Sequence, residues 1–178
     1  MMKSCADRYG SVAVTIHWLS AAAILVLLGT GFRAAASSDP AMFLRVHVPL
    51  GIATLALTIL RVAWWLAFDR KPAPMANTPP WQERLARGVH AAFYIVLFGM
   101  FGSGIALMAM SGAGTILFGG TGSLPDFAAY APRGPHGIGA MALIALLVAH
   151  VGAALYHAFV RREAIFTRLW YGKDSAVR

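Results

Sequence analysis

Cysteine is all but missing from this 178-residue chain: Cys5 stands alone, which excludes an internal disulfide, a multi-cysteine metal centre and the C-x-x-C-H attachment pattern. Charge is scarce as well. Charged residues make up 12% of the chain against 58% hydrophobic, about half the charge of an ordinary soluble domain, where about 25% is usual. The glycine-rich stretch Gly119-Gly120-Thr121-Gly122-Ser123 has no lysine after it and no strand before it, so a nucleotide phosphate loop is excluded.

What the chain has instead is apolar runs, roughly Val12 to Phe32, Val46 to Phe68, Val89 to Met110 and His136 to Val160. Each matches the roughly 20 residues that cross a bilayer as a helix. The expectation is an all-α membrane protein with one domain, a four-transmembrane-helix bundle over 1–178 with spans at about 12–32, 46–68, 89–110 and 136–160. Lys3, Arg8 and the Ala34-Ala35-Ala36 stretch resemble parts of a secretory signal. The first run is nevertheless longer than the usual signal core of about 7–15 residues and carries His17 and Trp18, so it reads as a retained span.

The net charge of +8 does not point to nucleic acid, because its distribution follows the spans. Lys3, Arg8, Arg70, Lys71, Arg84, Arg87, Arg161, Arg162, Arg168, Lys173 and Arg178 fall on one side, with Arg61 inside the second span near that side; Arg33, Arg45 and Arg133 fall on the other. This positive-inside pattern predicts both termini in the cytoplasm. Pro72, Pro74, Pro79 and Pro80 break any helix through the Asp69 to Gly88 connector, while Ser111 to Pro135 reads as an irregular outer loop with Ile116, Leu117 and Phe118 dipping into the interface. Trp64, Trp65, Trp81 and Trp170 mark the headgroup level of the basic side, and no internal repeat is evident.

Ionisable groups inside spans are costly and signal function. His136 and His150 lie fourteen residues apart, which on a helix means nearly the same face and about 21 Å of rise. Alternating helix direction matches His47 in depth with His136 on the outer side, and His17 with His150 on the inner side. Two stacked imidazole pairs suit two b-type haems with two axial nitrogens each; zinc prefers three or four protein ligands. Small residues near the histidines (Ala21, Gly51, Gly139, Ala154) leave room for a flat ring, although such residues also serve ordinary helix packing. His90 and His157 lie toward the basic boundary, with Arg87 near the former. Each is a candidate to bond a haem propionate or a quinone carbonyl, and His90 is the alternative inner ligand.

Arg8-Tyr9, Ile16-His17-Trp18-Leu19, His47 with Gly51 and Leu60-Arg61, His90 to Tyr94, Ala149-His150 and Leu155-Tyr156-His157-Ala158-Phe159-Val160-Arg161-Arg162 together resemble bacterial cytochrome b561, from Arg8 to Leu169. The resemblance implies a bacterial inner-membrane cytochrome with two b haems on His17, His47, His136 and His150. It also implies either a superoxide oxidase passing electrons from periplasmic superoxide to ubiquinone, or a haem-bearing anchor relaying electrons between quinone and a periplasmic redox enzyme. The chain departs from the family pattern at Ala158, where many members carry a second histidine, and across Gly99 to Gly102, where they carry a proline.

Overall fold

The computed structural model describes residues 1–75 and 78–171, and among them all regular structure is helical. α1 spans Ser11–Ala36, α2 Ala41–Ala63, α3 Pro80–Ser111, α4 Ala113–Leu117, α5 Arg133–Leu155 and α6 Ile165–Arg168. α2 and α5 continue through five-residue π turns, Trp64–Phe68 and Tyr156–Val160. Four stretches are long and apolar enough to cross a membrane: Ser11–Ala36, Ala41–Phe68, Pro80–Ser111 and Arg133–Val160. The protein is an all-α, multi-pass membrane protein. Its large outward-facing side chains are apolar, Ile95 and Ile138 each at 73% exposure, as expected where the solvent is lipid rather than water.

The helices outrun the apolar stretches that announce them. α3 begins at Pro80 and takes Arg84 and Arg87, expected in the connector, into its opening turns. Proline at the first helical position has its φ already set and lacks the N–H that would go unpaired there. α2 opens at Ala41 and α5 at Arg133, so His47 and His136 sit inside helices rather than at their first residues. Hydropathy marks only the portion of a helix that must meet lipid; backbone hydrogen bonding carries the helix past it. The expected irregular loop after α3 likewise contains a helix. Gly112 ends α3 at φ 64°, its N–H donating to the Met108 carbonyl at 3.1 Å, and the chain turns straight into α4. Of the three residues expected to dip into the membrane interface, Leu117 is buried within the protein and Phe118 is 57% exposed.

α1 packs along α2 and α3 along α5, whereas contacts between these two hairpins are sparse. The hairpins share a plan that no sequence repeat reveals: α2 and α5 each have 23 helical residues, follow a proline (Pro40, Pro132) and end in a π turn. At mid-depth the hairpins meet through Ile24, Leu97 and Leu143, flanked by Leu28, Phe93, Val96 and Phe101. Leu143 lies seven residues from both His136 and His150, so this apolar layer separates two levels of histidines.

The basic end is knitted shut by the chain's own extremities. Ser4 donates to the Asp69 carboxylate from its backbone N (3.0 and 3.1 Å) and its hydroxyl (2.8 Å), and Trp64 Nε1 and the Arg70 N–H add bonds of 3.1 and 2.9 Å. Burial by itself would push the Asp69 carboxyl up, but the donors from Ser4, Arg70 and Trp64 outweigh it and hold the group below its ordinary value. Arg168 donates to the Asp7 and Ala73 carbonyls at 2.8 and 2.7 Å, and Trp18 Nε1 to the Leu169 carbonyl at 3.1 Å. The first residues, the α2–α3 connector and the segment after α5 therefore meet at one end of the bundle.

Candidate functional site

His47 on α2 meets His136 on α5 across the seam between the hairpins, at the end away from the clasp, with ring centroids 6.2 Å apart. Toward the clasp, His17 on α1 and His150 on α5 lie 6.5 Å apart. The fold thus brings together both pairs expected from depth. A metal–nitrogen bond of about 2 Å plus about 1 Å from nitrogen to ring centre puts two imidazoles on opposite sides of one metal at a centroid separation of about 6 Å. Both pairs fit that spacing. Among the described residues no group of three or more His, Cys, Asp or Glu is placed to hold a bare metal ion, so paired axial ligation suits the donor set better than a tetrahedral site.

The pair away from the clasp is oriented by an arrangement on the neighbouring helices. His47 Nδ1 lies 3.0 Å from the Leu27 carbonyl and 3.2 Å from Thr30 Oγ1. A carbonyl only accepts, so Nδ1 carries the proton and Nε2 keeps its lone pair. His136 Nδ1 lies 3.0 Å from Ser103 Oγ, whose own hydrogen goes to the Gly99 carbonyl at 2.8 Å; the serine oxygen is left to accept from Nδ1. The flanking glycines seat the rings. A Cβ on Gly31 would come 3.1 Å from His47 Cε1, and one on Gly104 3.3 Å from His136 Cε1. Gly29-Thr30-Gly31 on α1 and Gly102-Ser103-Gly104 on α3 are thus matching saddles, each for the histidine of its hairpin partner. The sequence reading missed both. The available signal was a hydroxyl between two glycines, occurring once in α1 and once in α3.

The level toward the clasp differs. His90 on α3 stands 5.5 Å from His150, as does Phe93, so three imidazoles share this space. His90 Nδ1 donates to the Ala86 carbonyl at 2.7 Å. His17 Nδ1 instead faces Arg61 Nη2 at 3.2 Å, and a guanidinium can only donate.

Residues 8–172 match the family described as prokaryotic cytochrome b561. The chain belongs to that family. Two proteins of Escherichia coli (strain K12) are similar over nearly their whole length: cytochrome b561 homolog 2 is 26% identical over 96% of this chain and 94% of its own, and cytochrome b561 homolog 1 is 25% identical over 92% and 97%. Membership makes this protein a membrane cytochrome b with b-type haem and an electron-transfer, oxidoreductase role. The imidazole pairs at the hairpin seam fit such a group.

The remaining candidates are dispersed. His157 Nδ1 lies 2.6 Å from Glu163 Oε2, with Arg161 on the other carboxylate oxygen at 3.3 Å, a local tie across the π turn. Arg87 is 68% exposed and reaches Glu83 one turn away at 3.6 Å. Of the three residues expected at a propionate or quinone, only His90 contacts the histidine cluster. Gly139 serves the α3–α5 contact: a Cβ there would fall 2.5 Å from Met100 Sδ. Gly51 meets only Leu27 at 3.9 Å.

Proposed function

We propose that the protein is a two-haem cytochrome b of the bacterial inner membrane, with both termini in the cytoplasm, that carries electrons from periplasmic superoxide to ubiquinone. The observation that supports this reading is the pair of imidazole pairs, 6.2 and 6.5 Å between ring centres, at opposite ends of one bundle and sharing α5. His47 and His136 hold the outer haem, and His17 and His150 the inner one. Bound haem supplies a one-electron carrier at each level.

The protein's own groups do the rest. The Nδ1 acceptors on α1 and α3 fix the outer tautomers, leaving each Nε2 its lone pair. The Ile24, Leu97 and Leu143 layer keeps water from joining the two levels. On the outer face a cleft of about 550 Å³ is lined by Ser37, Asp39, Arg45, Leu117 and Ser123 among others; Arg33, Arg45 and Arg133, offset by Asp39 and Asp126, leave that side a weak positive balance that favours an anionic donor. Quinone reduction belongs at the basic end, where His90 joins the cluster. The overall reaction balances as two superoxide anions, one ubiquinone and two protons giving two dioxygen molecules and one ubiquinol.

The test is superoxide-dependent ubiquinone reduction by the purified protein. Two superoxides consumed per quinol formed is the expected result. If superoxide decays at its spontaneous rate while quinol still reduces the cytochrome, the superoxide assignment is wrong. Co-purification of a periplasmic redox enzyme would then favour a haem-bearing anchor.

A further inference from the structure

Arg61 lies within the Ala41–Phe68 span, seven residues from its end, and is half-buried. A guanidinium is always charged, and a charge inside a span needs a counter-ion. Among the described residues no carboxylate pairs with it. Asp69 is taken by Ser4 and Trp64, Glu83 by Arg87, and Glu163 by His157 and Arg161. Asp39 and Asp126 bind backbone N–H groups near the opposite end. The bond from Arg61 Nη2 to His17 Nδ1 at 3.2 Å is its contact here.

That contact conflicts with His17 acting as a neutral axial ligand. Coordination through Nε2 puts the ring proton on Nδ1, and two donors cannot then face each other. The guanidinium must find another acceptor, one that arrives with the cofactor.

We propose that Arg61 binds a carboxylate of the inner b-type haem, a propionate; this rests on the placement of a haem between His17 and His150. The planar fork of Arg61 suits a carboxylate, and its position on α2 completes a site whose other sides are α1, α3 and α5.

The experiment is a redox titration of the purified full chain, read by the reduced-minus-oxidised spectrum. Arg61→Gln is expected to make the haem that His17→Ala removes harder to reduce. At the potential where that haem is half reduced in the unaltered protein, its reduced-to-oxidised ratio falls about tenfold, with the outer haem unchanged; Arg61→Lys retains most of the ratio. In the chain loaded with haem dimethyl ester, which offers no carboxylate, Arg61→Gln should leave retention of the inner haem unchanged, whereas it should weaken retention of natural haem. An unchanged ratio with natural haem overturns the proposal, and so does an equal change in retention of natural haem and ester. If Arg61→Gln releases the haem outright, recovery in Arg61→Lys supports the carboxylate contact and loss there overturns it. Failure of the underlying two-haem reading shows separately, as fewer than two haems per chain in the unaltered protein.

Discussion

At the end of the bundle away from the termini, His47 and His136 each have an acceptor on Nδ1 and a glycine beneath the ring; at the clasped end, His17, His90 and His150 crowd together and His17 faces the guanidinium of Arg61. The outer histidines are held in the tautomer and pose of axial ligands by protein groups alone. The inner ones are not, since the Nδ1 of His17 is occupied by a donor. Two imidazole pairs with nearly the same ring separation therefore differ in how much of their geometry the protein itself fixes; on the proposed two-haem reading, one site is preorganised and the other is completed by what it binds.

Removing a ring is the strongest way to break this comparison. His47→Ala and His136→Ala should each abolish the same haem, and His17→Ala and His150→Ala the other, read as one haem per chain by pyridine haemochrome assay and by which component of the spectrum disappears. Any other grouping would dissolve the two-level arrangement. Next in size, Ser103→Ala deletes the side-chain acceptor of His136 Nδ1, leaving the Met100 backbone as its partner, and outer-haem affinity should fall about 10-fold while the inner haem is untouched. The serine has no counterpart at His17, so equal losses at both levels would remove the contrast.

Gly31→Ala places a methyl 3.1 Å from His47 Cε1. It should cost about 1–3 kcal/mol through overpacking, seen as reduced outer-haem retention, whereas Gly29→Ala, with nothing within 4 Å, should be neutral. Asp69→Ala tests the clasp, leaving the Ser4 and Trp64 donors unpaired, and should lower thermal stability at neutral pH by about 1–3 kcal/mol. Because the Asp69 carboxyl is held below its ordinary value of 3.8, its contribution is fully present above that value and is lost as pH falls through the lower folded one. The difference between variant and wild type should accordingly persist down to about pH 4 and close only below it. The smallest effect is expected of His90→Ala, which should leave both haems in place; loss of the inner haem would make His90 an axial ligand.

Much of this was legible along the chain because lipid imposes a one-dimensional rule. A helix that must meet hydrocarbon has to be apolar over a bilayer's thickness, so four runs announced four spans, and the helical repeat carried His136 and His150 to one face. Pairing by depth followed from alternating direction. The saddles were not legible in that way: Thr30 and Ser103 are unremarkable hydroxyl residues in apolar helices until α2 and α5 lie against them. Nor was the clasp, since Ser4 and Asp69 are 65 residues apart and neither has a pattern around it. His90, His157 and Arg87 illustrate the same limit. All three sit near one boundary in sequence, yet side-chain direction sends His157 and Arg87 to local carboxylates and only His90 to the cluster.

The sequence by itself determined the helical class, the number of spans and the two levels of histidine, because periodicity and hydropathy act through the nearest few residues and the surrounding solvent. Which helix pairs with which, which ring nitrogen carries the proton, and that Arg61 has no carboxylate partner among the described residues were decided only in three dimensions. Those depend on contacts between helices, where placement within a hydrogen bond's length, rather than residue type, sets the chemistry.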